Sequence, residues 1–242
     1  MNTLHSSSEL KSKAKGQLLG KYKTAILVLL LSQGLTSLIL FTITGFLNIN
    51  TSSGLALSYC FTFIMELVAA IFTVGQNRLY LNIACSQPFS VNDAFYGFHK
   101  CPDKAIKIQF FLTLLGMLCM APCIILSLIY LYTKQIYLIP FLTLAGIIGC
   151  IFACIIALTY AQVFYLILDF PTYSVKELMH ASKLLMKGYK GKLFYLKISF
   201  LPLMLLSACS CGIASLWIIP YSNATYVNFY LNLIAIKSEP HN

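Results

Sequence analysis

The 242-residue chain is 59% hydrophobic and only 10% charged, with a mean hydropathy of +0.80. A soluble domain carries about 25% charged residues, so too little charge remains to solvate a globular surface, and most of the chain is expected to face lipid or buried helices. The formal net charge of +10 would raise nucleic-acid binding in a soluble protein; here the lysines sit between long apolar runs, where they orient membrane helices, and no nucleic-acid partner is expected.

Long lipid-exposed segments must satisfy their own backbone hydrogen bonds, and barrel-type alternation is absent, so the apolar runs are read as helices. Residues 1–23 form a cytoplasmic N-terminal amphipathic segment. It opens on the capping box Ser6-Ser7-Ser8-Glu9 and carries Lys11, Lys13, Lys15, Lys21 and Lys23. The first apolar run, 24–47, exceeds a signal-peptide core and ends in Asn48-Ile49-Asn50-Thr51 without a small-residue cleavage pattern, so it is expected to be retained as a span. At about 20 residues per crossing, further spans are read at 55–83, 106–132, 137–168, 193–209 and 213–236.

The fold class is therefore all-α: a polytopic membrane helical bundle with six transmembrane helices. Residues 24–236 make a single integral membrane domain with cytoplasmic loops near 84–105 and 169–192, followed by a short tail, 237–242. Ser210-Cys211-Gly212 offers a tight turn between the last two spans. The alternative is five spans plus an interfacial helix, with one long helix running to residue 219.

Every basic residue except Lys134 falls on the side of the N-terminus, a positive-inside signal that places the N-terminus, and with six spans the C-terminus, in the cytoplasm. Between the fourth and fifth spans, Ser174-Val175-Lys176-Glu177 is a second capping box, opening a helix that should run to about residue 188. On it Lys176, His180, Lys183, Lys187 and Lys190 share one face, with Val175, Leu178, Met179, Ser182, Leu185 and Met186 turned away. That basic amphipathic pattern suits anionic headgroups; it equally serves as a helical topology signal. The Ala, Leu-Leu, Gly and Tyr-Lys order of residues 14–23 returns in 181–190, and Pro88-Phe89-Ser90-Val91-Asn92-Asp93 echoes the segment from Pro171 to Glu177. The chain is read as three degenerate repeats, each a cytoplasmic amphipathic helix followed by a transmembrane hairpin.

These residues resemble the bacterial integral membrane family known as "domain of unknown function 975". The resemblance is carried by Glu9-Leu10-Lys11 with Ala14 and Gly20, by Phe95-Tyr96-Gly97-Phe98, and most specifically by Asp169-Phe170-Pro171, Ser182, Met186-Lys187-Gly188, Phe194, Ser199-Phe200, Gly212-Ile213, Trp217, Pro220-Tyr221 and Phe229-Tyr230. Pro202-Leu203 departs from the glycine and tryptophan usual after Ser-Phe, which bears on local helix packing. The resemblance implies a multi-pass protein of the bacterial cell membrane and supplies no activity.

Candidate sites are few. Glu66 stands near the middle of the second span among Ile64, Met65, Leu67 and Val68, where a carboxylate costs several kcal/mol; it either handles protons or cations or hydrogen-bonds a neighbouring helix. Pro220 interrupts the last span as a helix kink. Around it Tyr221, Thr225, Asn228 and Asn232 form a polar stripe, read as interhelical hydrogen bonding or as a substrate pathway. Asp169 is expected to accept from the next helix start or a loop lysine, and Arg78 to snorkel at the end of its span. Cys119/Cys123 and Cys150/Cys154 share helix faces, but no histidine or carboxylate accompanies them, so packing is preferred over metal or redox chemistry. Phosphate loops, metalloprotease motifs and nucleophile elbows are missing. No catalytic residue, metal or cofactor is expected.

Two functions remain: a non-enzymatic protein that organises or binds lipids, anionic ones above all, or a membrane-protein partner; and a small transporter or transport-complex subunit using Glu66 and the polar face of the last helix.

Overall fold

The computed structural model describes residues 5–47 and 51–238, and among these every regular element is helical. Helix α1 (Ser7–Leu18) begins where the Ser6 hydroxyl accepts the Glu9 N–H at 3.2 Å and the Glu9 carboxylate accepts the Ser6 N–H at 3.0 Å. The backbone hydrogen bond from Ser6 holds the Glu9 carboxyl below its ordinary value of 4.5. Gly20, with φ of +75°, turns the chain into α2 (Tyr22–Leu29), which passes through a π-helical turn at Leu30–Gly34 into α3 (Leu35–Phe46). Helix α4 (Ser52–Ala84) returns over 33 residues.

The next connection is a 3-10 turn, Val91–Phe95, and a short α5 (Tyr96–Lys100). Helices α6 (Pro102–Thr133) and α7 (Ile139–Thr159) make the second long hairpin, reversing near Lys134. After a break at 160–162, α8 (Val163–Asp169) continues α7. Then follow α9 (Val175–Leu185), α10 (Lys190–Ile198), α11 (Leu201–Cys209) and α12 (Ser215–Ser238). Residues 239–242, including His241 and most of the expected tail, and the polar 48–50 lie outside the described residues.

Among the described residues five helices are long and apolar enough to cross a membrane: Tyr22–Phe46, Ser53–Ala84, Pro102–Thr133, Ile136–Asp169 and Lys190–Cys209. The fourth and fifth are interrupted, at 160–162 and at Ser199-Phe200. The sixth expected span falls in α12, which is not among the five. Ser222, Asn223, Thr225, Asn228 and Asn232 dilute its apolar character, and it is instead deeply buried, from Ile218 through Leu233. It runs as one helix through Pro220. The turn before it is as tight as expected: Cys211 and Gly212 both adopt positive φ, and the Gly212 N–H donates to the Ser207 carbonyl at 2.8 Å.

Packing is lopsided along the helices. Leu10, Ala14 and Leu18 of α1, Leu79, Tyr80 and Ile83 of α4, Leu178 of α9, and Val227, Phe229 and Leu233 of α12 form one core at the lysine-rich end. Toward the other end Phe41, Phe46, Leu118 and Leu131 are 68–89% exposed. Apolar surface gains nothing by leaving lipid for another apolar helix, so the outer halves can stand apart where the watery end cannot. Small residues close the α6–α7 contact: a Cβ on Gly149 would lie 2.9 Å from the Cys119 carbonyl oxygen, and one on Gly146 3.6 Å from the Cys123 Sγ. Cys119 and Cys123 thus sit in a helix–helix seam, as read from their spacing.

The 85–101 connection folds back along α4 through two glycines. A Cβ on Gly75 would meet the Ala94 carbonyl oxygen at 2.2 Å, and one on Gly97 would meet that of Ile71 at 2.3 Å. Backbone cannot yield as a side chain can, so Gly75→Ala should lower stability by about 1–3 kcal/mol. Thermal unfolding in detergent measures this, with the solvent-facing Gly16→Ala, which meets nothing within 4 Å, expected to be neutral or slightly stabilising.

Candidate functional site

The polar stripe of the last helix has a definite occupant. Asn228 is 2% exposed, and its amide exchanges two hydrogen bonds with Gln17 of α1: Asn228 Nδ2 donates to Gln17 Oε1 at 2.8 Å, and Gln17 Nε2 to Asn228 Oδ1 at 3.2 Å. Gln17 Nε2 also reaches the Ala84 carbonyl at the end of α4. One turn beyond, Asn232 Oδ1 accepts the His5 N–H at 3.0 Å. Thr225 bonds its own helix at the Tyr221 carbonyl, and the Tyr221 ring meets Phe200 edge-on with centroids 5.3 Å apart. From the other side of α1, Lys11 Nζ donates to the Ser199 carbonyl at 2.9 Å and stands over the Phe200 ring. Partial burial lowers the pKa of that ammonium. Of the stripe, Asn228 is therefore bonded to Gln17 of α1 and Asn232 to His5 just before it, whereas Thr225 bonds within its own helix.

Glu66 is not part of that contact. It is exposed on α4, and its Oε2 accepts from Thr113 Oγ1 of α6 at 3.3 Å; Gln109 Nε2 in turn donates to the same hydroxyl at 3.2 Å. Ala84, whose carbonyl accepts from the same Gln17 that pairs with Asn228, lies about 27 Å of helix away from Glu66 along α4. The two halves of the expected transport site are thus set apart. Sequence inspection found both features but had no means of measuring their separation.

The basic face of α9 survives in altered form. Its capping box is present, with the Glu177 carboxylate accepting the Ser174 N–H at 2.7 Å, and that bond lowers the Glu177 pKa. The helix stops at Leu185, however, and Gly188, with φ of +85°, turns the chain before Lys190, which opens α10. Lys187 and Lys190 are therefore not on α9 in the expected register. Lys176, His180, Lys183 and Lys187 are exposed, whereas Leu178, Ser182, Leu185 and Met186 are buried, with Ser182 Oγ donating to the Thr159 carbonyl at 3.0 Å. The apolar face is thus held by the protein's own core.

Two expected roles change. Asp169 accepts from the Tyr230 hydroxyl, while the nearby Lys104 binds the Pro171 and Tyr173 carbonyls. Arg78 does not snorkel: its Nε lies 3.2 Å from Asp93 Oδ1 and its guanidinium stacks 3.7 Å over the Tyr96 ring, pinning the folded-back loop. A third capping box, Ser90 with Asp93, starts the 3-10 turn of that loop.

Sequence reasoning missed the aromatic centre. Tyr165 and Tyr230 stack with centroids 4.9 Å apart, and both are buried with Tyr80 in the same core. Their local sequences, Leu79-Tyr80-Leu81, Phe164-Tyr165-Leu166 and Phe229-Tyr230-Leu231, are the signal that would have found them. Among the described residues no group of His, Cys, Asp and Glu is arranged to hold a metal ion.

Removing one partner of the Gln17–Asn228 pair strands the other's amide, at a cost of about 1–3 kcal/mol. Asn228→Leu and Gln17→Leu should each raise hydrogen exchange across α1, and the double variant should be less damaging than the sum of the two.

No curated protein and no solved structure matches the chain. The family model described as "Protein of unknown function (DUF975)" matches residues 1–237, and the protein belongs to that family.

Proposed function

We propose that the protein is a non-enzymatic, multi-pass protein of the bacterial cell membrane that gathers anionic lipids at its cytoplasmic face. The supporting observation is the division of labour on α9: its apolar side is held in the core, which leaves Lys176, His180 and Lys183 exposed along the helix and Lys187 exposed just past its end. Each lysine near an anionic leaflet contributes about 1 kcal/mol. Coupled transport has less to recommend it, because Glu66 bonds Thr113 while Asn228 and Asn232 hold α1.

The topology belongs to the same reading. The capping serines Ser6, Ser90 and Ser174 stand at equal intervals along the chain, and Tyr80, Tyr165 and Tyr230 end the second leg of each hairpin. Three degenerate repeats, six helices entering the membrane and both termini in the cytoplasm account for these features. The third hairpin is shallower: the path from Gly188 to Tyr230 is shorter than that from Gly20 to Tyr80 by about nine residues per leg, or roughly 13 Å of helix. Its tip at Ser210–Gly212 then stops short of the outer face.

Two measurements test this. In proteoliposomes, replacing Lys176, Lys183 and Lys187 with Gln should reduce enrichment of labelled phosphatidylglycerol around the protein at least about tenfold at low salt; unchanged enrichment removes the lipid role. For topology, a variant keeping only Cys209 and Cys211 should resist a membrane-impermeant maleimide added outside intact cells, whereas Gln135→Cys in the same background should react. Labelling at the tip would show a full crossing.

A further inference from the structure

The flank of α4 and α6 carries polar groups where lipid is expected. Glu66 lies about 20 Å of helix from the outer end of α4 at Ser52 and about 17 Å from Asn77, well inside a hydrocarbon core of about 30 Å. Glu66 is exposed and Gln109 half-buried. Around them Ile64, Phe110, Leu114 and Met117 are 45–53% exposed. Within the fold one carboxylate oxygen accepts from Thr113, and one Gln109 N–H donates to the same hydroxyl. Among the described residues, Glu66 Oε1, the second Gln109 N–H and Gln109 Oε1 make no hydrogen bond.

We infer that this flank is a self-association surface, and that its occupant is a second copy of the chain. A polar group facing hydrocarbon is costly, so it is retained where another helix satisfies it. The patch holds one donor, the second Gln109 N–H, and two acceptors, Glu66 Oε1 and Gln109 Oε1, close together on adjacent helices and without partners in the fold. Around a two-fold axis the same patch meets itself, so Gln109 of each copy donates to Glu66 of the other, and the free donor and the free carboxylate oxygen of both copies are met at once. A lipid chain satisfies neither group, and a partner helix bearing a lone cation would leave the Gln109 donor unmatched. The flanking side chains, apolar and exposed on both helices, supply the surrounding contact. The inference needs the helices to lie in the membrane; it does not depend on lipid binding by α9.

Energy transfer between donor- and acceptor-labelled full-length protein, reconstituted at falling protein-to-lipid ratios, reads the association directly. Wild type should associate, and Glu66→Leu should move the midpoint to roughly tenfold higher protein density, the loss of two symmetric interhelical hydrogen bonds. The exchanged variant Glu66→Gln/Gln109→Glu keeps one donor and one acceptor and should restore the wild-type midpoint. Gln109→Leu removes the donor while leaving the carboxylate, and stands in should Glu66→Leu unfold. A monomer at every density, or variants with the wild-type midpoint, would overturn the inference. Failure of the α9 variants to change lipid enrichment would leave this result untouched.

Discussion

The seating of α1 on α12 is the constraint from which the rest of the lysine-rich end follows. Helix α12 has too many amides and hydroxyls to face lipid, and α1 has too few apolar residues to stand alone; each supplies what the other lacks. The reciprocal Gln17–Asn228 amide pair fixes the register. Leu10, Ala14 and Leu18 then close over α12 and the end of α4 with almost no exposed surface. A buried amide pair is directional where apolar packing is not, so it selects one docking among many that would bury similar area.

Around that pair the other contacts are arranged as a collar. Tyr165 and Tyr230 stack, Asp169 receives the Tyr230 hydroxyl, and Lys11 caps the broken end of α10 at Ser199 while lying over Phe200. The breaks at 160–162 and at Ser199-Phe200 fall beside this collar, where side chains and neighbouring helices can take up the freed backbone groups. Away from it the long hairpins keep only pairwise seams, such as the one at Gly149, and their remaining surface is apolar. The molecule is thus compacted around one core at its lysine-rich end and joined only by pairwise close contact at the other.

The same division separates the two candidate activities. A coupled transporter needs polar groups that converge along a path; here those of α12 are enclosed at the lysine-rich end and those of α4 and α6 face outward midway along their helices. What the protein does present, without rearrangement, is surface: exposed Lys176 and Lys183 on α9 and a polar notch on an apolar flank.

Much was legible in the sequence because membranes impose a one-dimensional code. Run length and charge marked the long helices, Ser6 with Glu9 and Ser174 with Glu177 marked two helix starts within a single turn, and Ser210-Cys211-Gly212 marked the last reversal, since each depends on neighbours in sequence. Tertiary structure alone decided what depends on distant partners. Apolar periodicity on α9 could not say whether lipid or protein would cover Leu178 and Leu185, nor could a stripe of Asn and Tyr reveal that α1 would sit upon it. Glu66 and that stripe looked like one site because both were polar and within spans, and depth along a helix is visible only once the helices are set side by side. Composition marked the long helices as apolar enough to cross a membrane; the pairing of Gln17 with Asn228, residues at opposite ends of the sequence, decided how the chain closes.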